Sequence, residues 1–201
     1  MTQLCELFKK YGSDKCEFYF HTYSPEYYNL LKEKRSTCRQ LVEIGVGNIA
    51  LMSSIVPPDK YLPGASLRAW NDFFLNANIF GLDINETDFF EHERIKCLFT
   101  DQSKKSELLK TFEIIGKLSG QKDCDIIIDD GSHIVEHMLL SYQTLKNFLK
   151  PGGIYIIEDI RDFEMHHFNN LGCDNFKLIQ EYKVHCDKTP LQNAFVAYQR
   201  V

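Results

Sequence analysis

Chemistry is concentrated in the stretch Cys124-Asp-Ile-Ile-Ile-Asp-Asp-Gly-Ser-His-Ile-Val-Glu-His137, where an apolar run ends abruptly in two carboxylates, a glycine, a serine and a histidine. Ile126, Ile127 and Ile128 have the continuous β-branched character of a strand buried on both faces of a parallel sheet. Asp129 and Asp130 then fall at its carboxyl end, the edge at which open α/β sheets bind ligands. Gly131 permits a sharp exit, Ser132 is placed to cap a following helix, and Asp130 and His133 are expected to face one small volume. A histidine there either accepts a proton or merely caps the helix and bonds a carboxylate, and the residue types leave both open.

Other acids arrive at the same kind of edge. Leu41-Val-Glu-Ile-Gly-Val-Gly47 is an apolar strand running into a glycine-rich turn where the main chain can approach a ligand. Gly45, Gly47 and Ala50 satisfy a loose dinucleotide-binding pattern, a weak match by itself; with Glu43 inside the strand end, the Glu-x-Gly-x-Gly pattern resembles the cofactor loop of class I S-adenosylmethionine methyltransferases. Ile79 to Ile84 delivers Asp83, which can accept both hydroxyls of a ribose. Ile95 to Asp101 ends in Asp101 and Gln102, suited to an adenine edge, although Asp101 would serve equally as a helix cap. Ile154 to Asp159 ends in Glu158 and Asp159, at the edge where Asp130 stands.

The elements that must position these residues follow from periodicity. Helices are expected over Leu4 to Tyr11, Ser24 to about Glu33, Ser66 to Phe74, Ser103 to Leu109 and Ile134 to Phe148. Residues 12–15 read as a connecting turn, 48–64 as a long lid-like loop carrying three prolines, and 112–122 as a polar connection. Phe176 to Lys183 and Asn193 to Gln199 alternate as an antiparallel pair. Trp70 is expected in the core.

At 201 residues with 44% hydrophobic and 25% charged side chains, the chain suits one domain with a sizeable core, residues 1–40 as a helical cap and 41–201 as a Rossmann-like core. A net charge of -5 argues against nucleic acid or an anionic membrane as partner. The apolar runs are too short to span a bilayer and no leader pattern opens the chain, so a cytoplasmic protein is expected. Seven cysteines without metal-ligand spacing suggest reduced structural thiols.

Taken together, Tyr11-Gly-Ser-Asp-Lys15, Glu43-Ile-Gly-Val-Gly47, Gly64-Ala-Ser-Leu-Arg-Ala-Trp70, Gly81-Leu-Asp83, Asp101-Gln-Ser103, Asp129-Asp-Gly-Ser-His133, Pro151-Gly-Gly153 and Ile157-Glu-Asp159 resemble the metal-dependent macrolide sugar O-methyltransferases of the mycinamicin and macrocin type. The resemblance implies an α/β fold with a Rossmann-like seven-stranded sheet, mostly parallel with an antiparallel C-terminal strand and helices on both faces. It implies S-adenosyl-L-methionine and Mg2+ (or Mn2+) as cofactors, the metal held by Asp130, Glu158 and Asp159 with His133 as general base. Glu43, Gly45, Gly47 and Asp129 would lie near the methionine part, Asp83 on the ribose, and Asp101 and Gln102 near adenine. The acceptor would be a sugar-containing small molecule, and the family's longer amino-terminal region, which assembles homo-oligomers, has only about forty residues as counterpart here. The chemistry is coherent, because a cation beside a sugar hydroxyl stabilises the developing alkoxide while a histidine takes its proton. A catechol-type methyltransferase would share the cation chemistry; a nicotinamide-dependent oxidoreductase or a non-catalytic S-adenosylmethionine-binding module would leave the carboxylates at Asp130, Glu158 and Asp159 unexplained. His137, one helical turn beyond His133, is expected to be structural or supporting.

Overall fold

The computed structural model describes residues 1–86, 90, 92–172, 175–183 and 194–201. Seven strands form one sheet in the order β3-β2-β1-β4-β5-β7-β6, with β1 Gln40–Ile44, β2 Asn78–Asp83, β3 Ile95–Phe99, β4 Cys124–Asp129, β5 Leu149–Ile160, β6 Phe176–Lys183 and β7 Ala194–Arg200. β1 to β5 pair in parallel, while β7 inserts antiparallel between β5 and β6. This is the sheet the sequence implied. The start of its last strand, placed at Asn193 from the sequence, lies outside the described residues.

The central strands are buried on both faces, the edge strands β3 and β6 are partly exposed, and the side chains divide by alternation. Ile126, Ile128, Ile154 and Ile156 enter the core built with α1 Gln3–Tyr11, α2 Ser24–Leu31 and α4 Ala65–Phe73. Ile127, Tyr155 and Ile157 enter the opposite core with α5 Lys105–Ser119 and α6 Val135–Leu145. The amino-terminal helices are therefore part of one packed layer. Phe8 meets Trp70 edge-on at 4.9 Å between ring centroids, and Tyr27 stacks on Phe195 of β7 at 5.4 Å. Trp70 is fully buried, as expected.

Four boundaries differ from the sequence expectation, each for a local reason. The connection expected over 112–122 is mostly helix, because Phe112 and Ile115 continue the buried stripe begun by Leu108 and Thr111, and the left-handed Gly120 closes α5. Ser132 does not cap α6. The helix starts at Val135 after Ile134, while the Ser132 hydroxyl meets His137 Nδ1 at 3.0 Å. β5 begins at Leu149, through Pro151 and the two glycines, with a register shift against β4 between Cys124 and Ile126. Within 48–64 the short α3 Ile49–Met52 is capped by the Asn48 side chain, which accepts from Leu51 N at 2.9 Å. Among the described residues the five cysteines are free, as expected, and no helix is long and apolar enough to cross a membrane.

The turn after β1 is the tightest crossing at the carboxyl edge. Gly45 N–H donates to Leu82 O at 2.7 Å and Asp130 N–H to Ile44 O at 2.9 Å, locking the ends of β1, β2 and β4 together. A Cβ on Gly45, whose φ is 94°, would lie 1.9 Å from the Asp130 carbonyl oxygen. Gly152 has a similar φ of 75° but nothing within 4 Å of its Cβ position. Gly45→Ala is therefore expected to lower stability by at least about 3 kcal/mol and Gly152→Ala by only about 1–2, the cost of the left-handed backbone alone. Denaturant melts of both variants check this, and equal losses would contradict the close crossing.

Candidate active site

The ends of β1, β4 and β5 bring Glu43, Asp130, Glu158 and Asp159 to one edge, and the structure sorts them around a residue from the amino-terminal segment. Lys15 is 1% exposed. Its ammonium lies 2.9 Å from both Glu158 oxygens, 3.3 Å from Glu43 Oε1, and in a short contact with Asp130 Oδ2. Burial works against a charged lysine, yet the carboxylates of Asp130, Glu158 and Glu43 hold its pKa well above the ordinary value. Tyr27 also donates its hydroxyl to Glu158, and Trp70 Nε1 donates to Glu43 Oε2 at 2.8 Å. Burial pushes the Glu43 carboxyl up to about 7, against the pull of Lys15.

The second grouping opens to a cavity. Asp130, His133 and Asp159 offer ligand atoms within 4.8 Å of one another and line a cleft of about 530 Å³. His133 and Asp159 have φ of 54° and 55°, and they are the positive-φ residues other than glycine among those described. Side chains in that region cost of order 1–3 kcal/mol each, and such strain persists where the surroundings impose it, often at sites of function. Here the surroundings are the turn after β4 and the bend in β5 where its register with β7 shifts between Ile157 and Ile160. Asp159 Oδ1 accepts from the Tyr23 hydroxyl at 2.8 Å and stands 3.4 Å from His21 Nε2; its Oδ2 is 3.9 Å from His133 Nε2. Burial would raise Asp159, but His21, His133 and Tyr23 bring it down to about 2.

The three acids grouped as metal ligands from sequence are thus divided. Asp130 belongs to both groupings, Asp159 to the open one with His133, and Glu158 to the inner one with Lys15.

The remaining expected residues lie along β1 to β4. Asp83 accepts from Val46 N at 2.8 Å and Gly47 N at 3.3 Å through Oδ2, and from Asn85 N at 2.8 Å through Oδ1, so it braces the glycine turn as well as facing the cleft. A second pocket of about 290 Å³ continues past Gly45 and Asp83 to Asp101, Gln102, Ser132 and His137. Asp101 lines the pocket wall and accepts from Ser103 N and Oγ at 2.9 and 2.6 Å, which with Lys104 lowers it to about 2; it does not cap the helix, whose N-cap residue is Lys104. Gln102 spans the floor, donating to Asp129 Oδ1 at 2.6 Å and accepting from Ser132 N at 2.9 Å. Asp129 is fully buried beneath it, and Glu43 faces Lys15 and Trp70; neither lines the two pockets.

Sequence reasoning missed Lys15, His21, Tyr23 and Tyr27. By composition residues 12–15 read as a connecting turn, and although Tyr11-Gly-Ser-Asp-Lys15 is among the motifs of the resemblance, the resemblance assigns Lys15 no role; the further signal available was His21 and two tyrosines at short range after it.

Burial raises the Asp129 carboxyl to about 7, against a Gln102 hydrogen bond that favours its charged form. A folded-state pKa above the unfolded one means that stability is lost as pH rises from about 4 through about 7. Asp129→Asn keeps the shape without the titration. Its melting temperature relative to wild type is expected to climb over that window and level off above it; a difference independent of pH would contradict the buried, raised carboxyl.

No protein-family profile matches the sequence. Among curated relatives, 8-demethyl-8-alpha-L-rhamnosyl tetracenomycin-C 2'-O-methyltransferase of Streptomyces olivaceus is 34% identical over 158 residues, 79% of this chain and 38% of the relative. Mycinamicin VI 2''-O-methyltransferase of Micromonospora griseorubida is 34% identical over 157 residues, 78% of this chain and 36% of the relative. Demethylmacrocin O-methyltransferase of Streptomyces fradiae is 34% identical over 140 residues, 70% and 32% of the two chains. The chain therefore spans little more than a third of the length of the curated relatives it matches. Among solved structures, the mycinamicin-pathway methyltransferase MycE, in complex with Mg, SAH and mycinamicin VI, superposes with a TM-score of 0.71 at 26% identity, over 99% of this chain and 55% of that one. By sequence and by fold the chain is a homologue of the sugar O-methyltransferases of the mycinamicin, macrocin and tetracenomycin type, and its sheet is the methyltransferase sheet.

Proposed function

We propose that the chain transfers the methyl group of S-adenosylmethionine to a hydroxyl of a sugar or glycosylated small molecule, with a divalent cation bound at Asp130, Glu158 and Asp159. The observation that carries this reading is the open grouping of Asp130, His133 and Asp159 at the end of a cleft that continues past Gly45 and Asp83 along the strand ends. Its relatives support the acceptor class, since the names of three of them specify methylation of rhamnosyl- or olivosyl-bearing compounds.

The residues fit a hard cation. Asp130 and Asp159 offer carboxylate oxygens to the cleft, the ligand type magnesium and manganese prefer. Glu158, the third acid of the set, is held in place by hydrogen bonds from Lys15 and Tyr27. A cation held there, when bound, stabilises the negative charge that builds on a sugar hydroxyl as its proton leaves.

The chain's own residues supply the rest. His133 takes the hydroxyl proton on Nε2, since Nδ1 is buried without a partner. Tyr23 and His21 fix Asp159, and Lys15 fixes Asp130, so both carboxylates are oriented before anything binds. Asp83 holds the cofactor's ribose and the Gly45 to Gly47 turn lies along its methionine part, with Asp101 and Gln102 beside the base. As the hydroxyl oxygen bonds to the methyl carbon, the carbon–sulfur bond breaks and its electron pair stays on sulfur, giving S-adenosylhomocysteine. The proton remains on His133 until solvent removes it.

Methyl transfer to a glycosylated acceptor is expected to stop in excess chelator and to return with magnesium or manganese, and full turnover in chelator would refute the cation. His133→Ala is expected to lower turnover by at least ~100-fold with S-adenosylhomocysteine affinity unchanged. Asp83→Ala should instead weaken that affinity by about 1–3 kcal/mol, measured by calorimetry; an Asp83→Ala protein that binds as well as wild type would remove Asp83 from the cofactor site.

A further inference from the structure

Gln102 follows β3, which β2 and β1 separate from β4 in the sheet, yet its side chain reaches the turn after β4 and is buried against it. Its Nε2 donates to Asp129 Oδ1 at 2.6 Å and its Oε1 accepts from Ser132 N–H at 2.9 Å. A peptide N–H donates and never accepts, so the atom facing Ser132 is the oxygen. A carboxamide is the side chain that offers this acceptor and the donor for Asp129 together. The turn is packed onto it, since a Cβ on Gly131 would lie 2.3 Å from Gln102 Oε1 and 3.0 Å from Ile44 Cγ2. Ser132 is also held from its other side, its hydroxyl meeting His137 Nδ1 at 3.0 Å and accepting from Ile134 N–H at 3.4 Å. The next residue is His133, whose φ of 54° lies in a region that few side chains adopt. No side-chain cap of α6 takes part, because that helix starts at Val135 without one.

We propose that Gln102 is a positioning residue for His133: by holding Ser132 N–H it keeps the turn in the left-handed conformation that aims the His133 ring into the cleft, with His137 securing the same serine from the helix side. The inference rests on the reading of His133 as the proton acceptor. Gln102, Ser132 and His137 line the smaller pocket, His133 lines the larger cleft, and Gly131 lines both, so the turn is the partition between them. Both polar atoms of Gln102 are committed to that partition, and the side chain packs beside the adenine instead of reading its edge. His137, one helical turn beyond His133, thereby has a supporting role. Released from Ser132, His133 relaxes to a negative φ and its ring leaves the cleft; misplacement of a reacting group by about 1 Å costs as much as ~100-fold in rate.

Nuclear magnetic resonance of the isotope-labelled chain tests this without acceptor, cation or turnover. The one-bond Cα–Hα coupling of His133 differs between positive and negative φ, and exchange of the Ser132 amide reports its hydrogen bond. In wild type the coupling is expected at its positive-φ value and the amide protected, with and without S-adenosylhomocysteine. Gln102→Met keeps the length and removes both hydrogen bonds. There the coupling is expected to move to its negative-φ value and the amide to exchange ~10-fold faster, the order expected from losing one hydrogen bond. Gln102→Glu returns an oxygen to Ser132 and is expected to restore both readings, while S-adenosylhomocysteine affinity by calorimetry stays near wild type in both variants. An unmoved His133 in folded Gln102→Met overturns the proposal, and so does lost cofactor affinity with the turn intact, which would make Gln102 a cofactor contact. Should Gln102→Met not fold, judged by circular dichroism, wild type decides, because an unprotected Ser132 amide or a negative φ at His133 overturns the proposal by itself. His133→Ala with wild-type turnover would remove the proton acceptor and this role with it, whereas an unmoved turn in a chain that needs His133 strikes this inference alone.

Discussion

Three carboxylates gathered at one sheet edge, two of them buried, repel one another without a cation, and the ammonium of Lys15 meets that demand. Desolvation disfavours each charged acid, mutual repulsion adds to it, and removal of one partner from a buried ionic cluster typically costs several kcal/mol. Satisfying Glu43, Asp130 and Glu158 together requires Lys15 to pass beneath the strand ends, which in turn requires residues 12–15 to turn sharply after α1. Gly12 makes that turn at φ 76° with its Cβ position pressed against the backbone of Lys60 and Tyr61. The aromatic layer of Phe8, Tyr27, Trp70 and Phe195 then anchors both sides of the lysine's segment to the sheet. The amino-terminal helices are thus a wall of the site, and the packing energy of one core supports the electrostatics of the other end.

The same edge shows two ways of holding an acid. Glu43 and Asp129 are sealed away and pushed toward neutrality, each bonded to a side chain that spans the site floor or wall, Trp70 in one case and Gln102 in the other. Asp130 and Asp159 stay at the cleft, and Asp159 is kept ionised by donors from the amino-terminal segment. Neighbouring carboxylates in different surroundings do different work, which is how one strand-end edge can serve both as scaffold and as chemistry.

Much of this was legible in the sequence. The β-branched runs at Ile126 to Ile128 and Ile154 to Ile157 specified buried parallel strands, and the acids after them marked the active edge. Legibility failed where an outcome depended on contacts between segments distant in the chain. Lys15 and Glu158 are separated by 143 positions; no local pattern announces such a pair, so the residue types gave Lys15 no partner. Ser132 was an apt cap by type, yet its hydroxyl found His137 instead. The helix through Phe112 and Ile115 was hidden by Gly116 and the lysines around it, whose helix-facing contacts a count of polar residues does not register.

The account turns on where a cation and a cofactor sit at this edge, and crystals grown with S-adenosylhomocysteine and manganese, measured at the manganese absorption edge, address that directly. The expected map has a single anomalous peak at Asp130, Glu158 and Asp159 beside His133, and the cofactor lying across Gly45 and Asp83. A peak away from these acids, or a cofactor bound away from the strand ends, would contradict it.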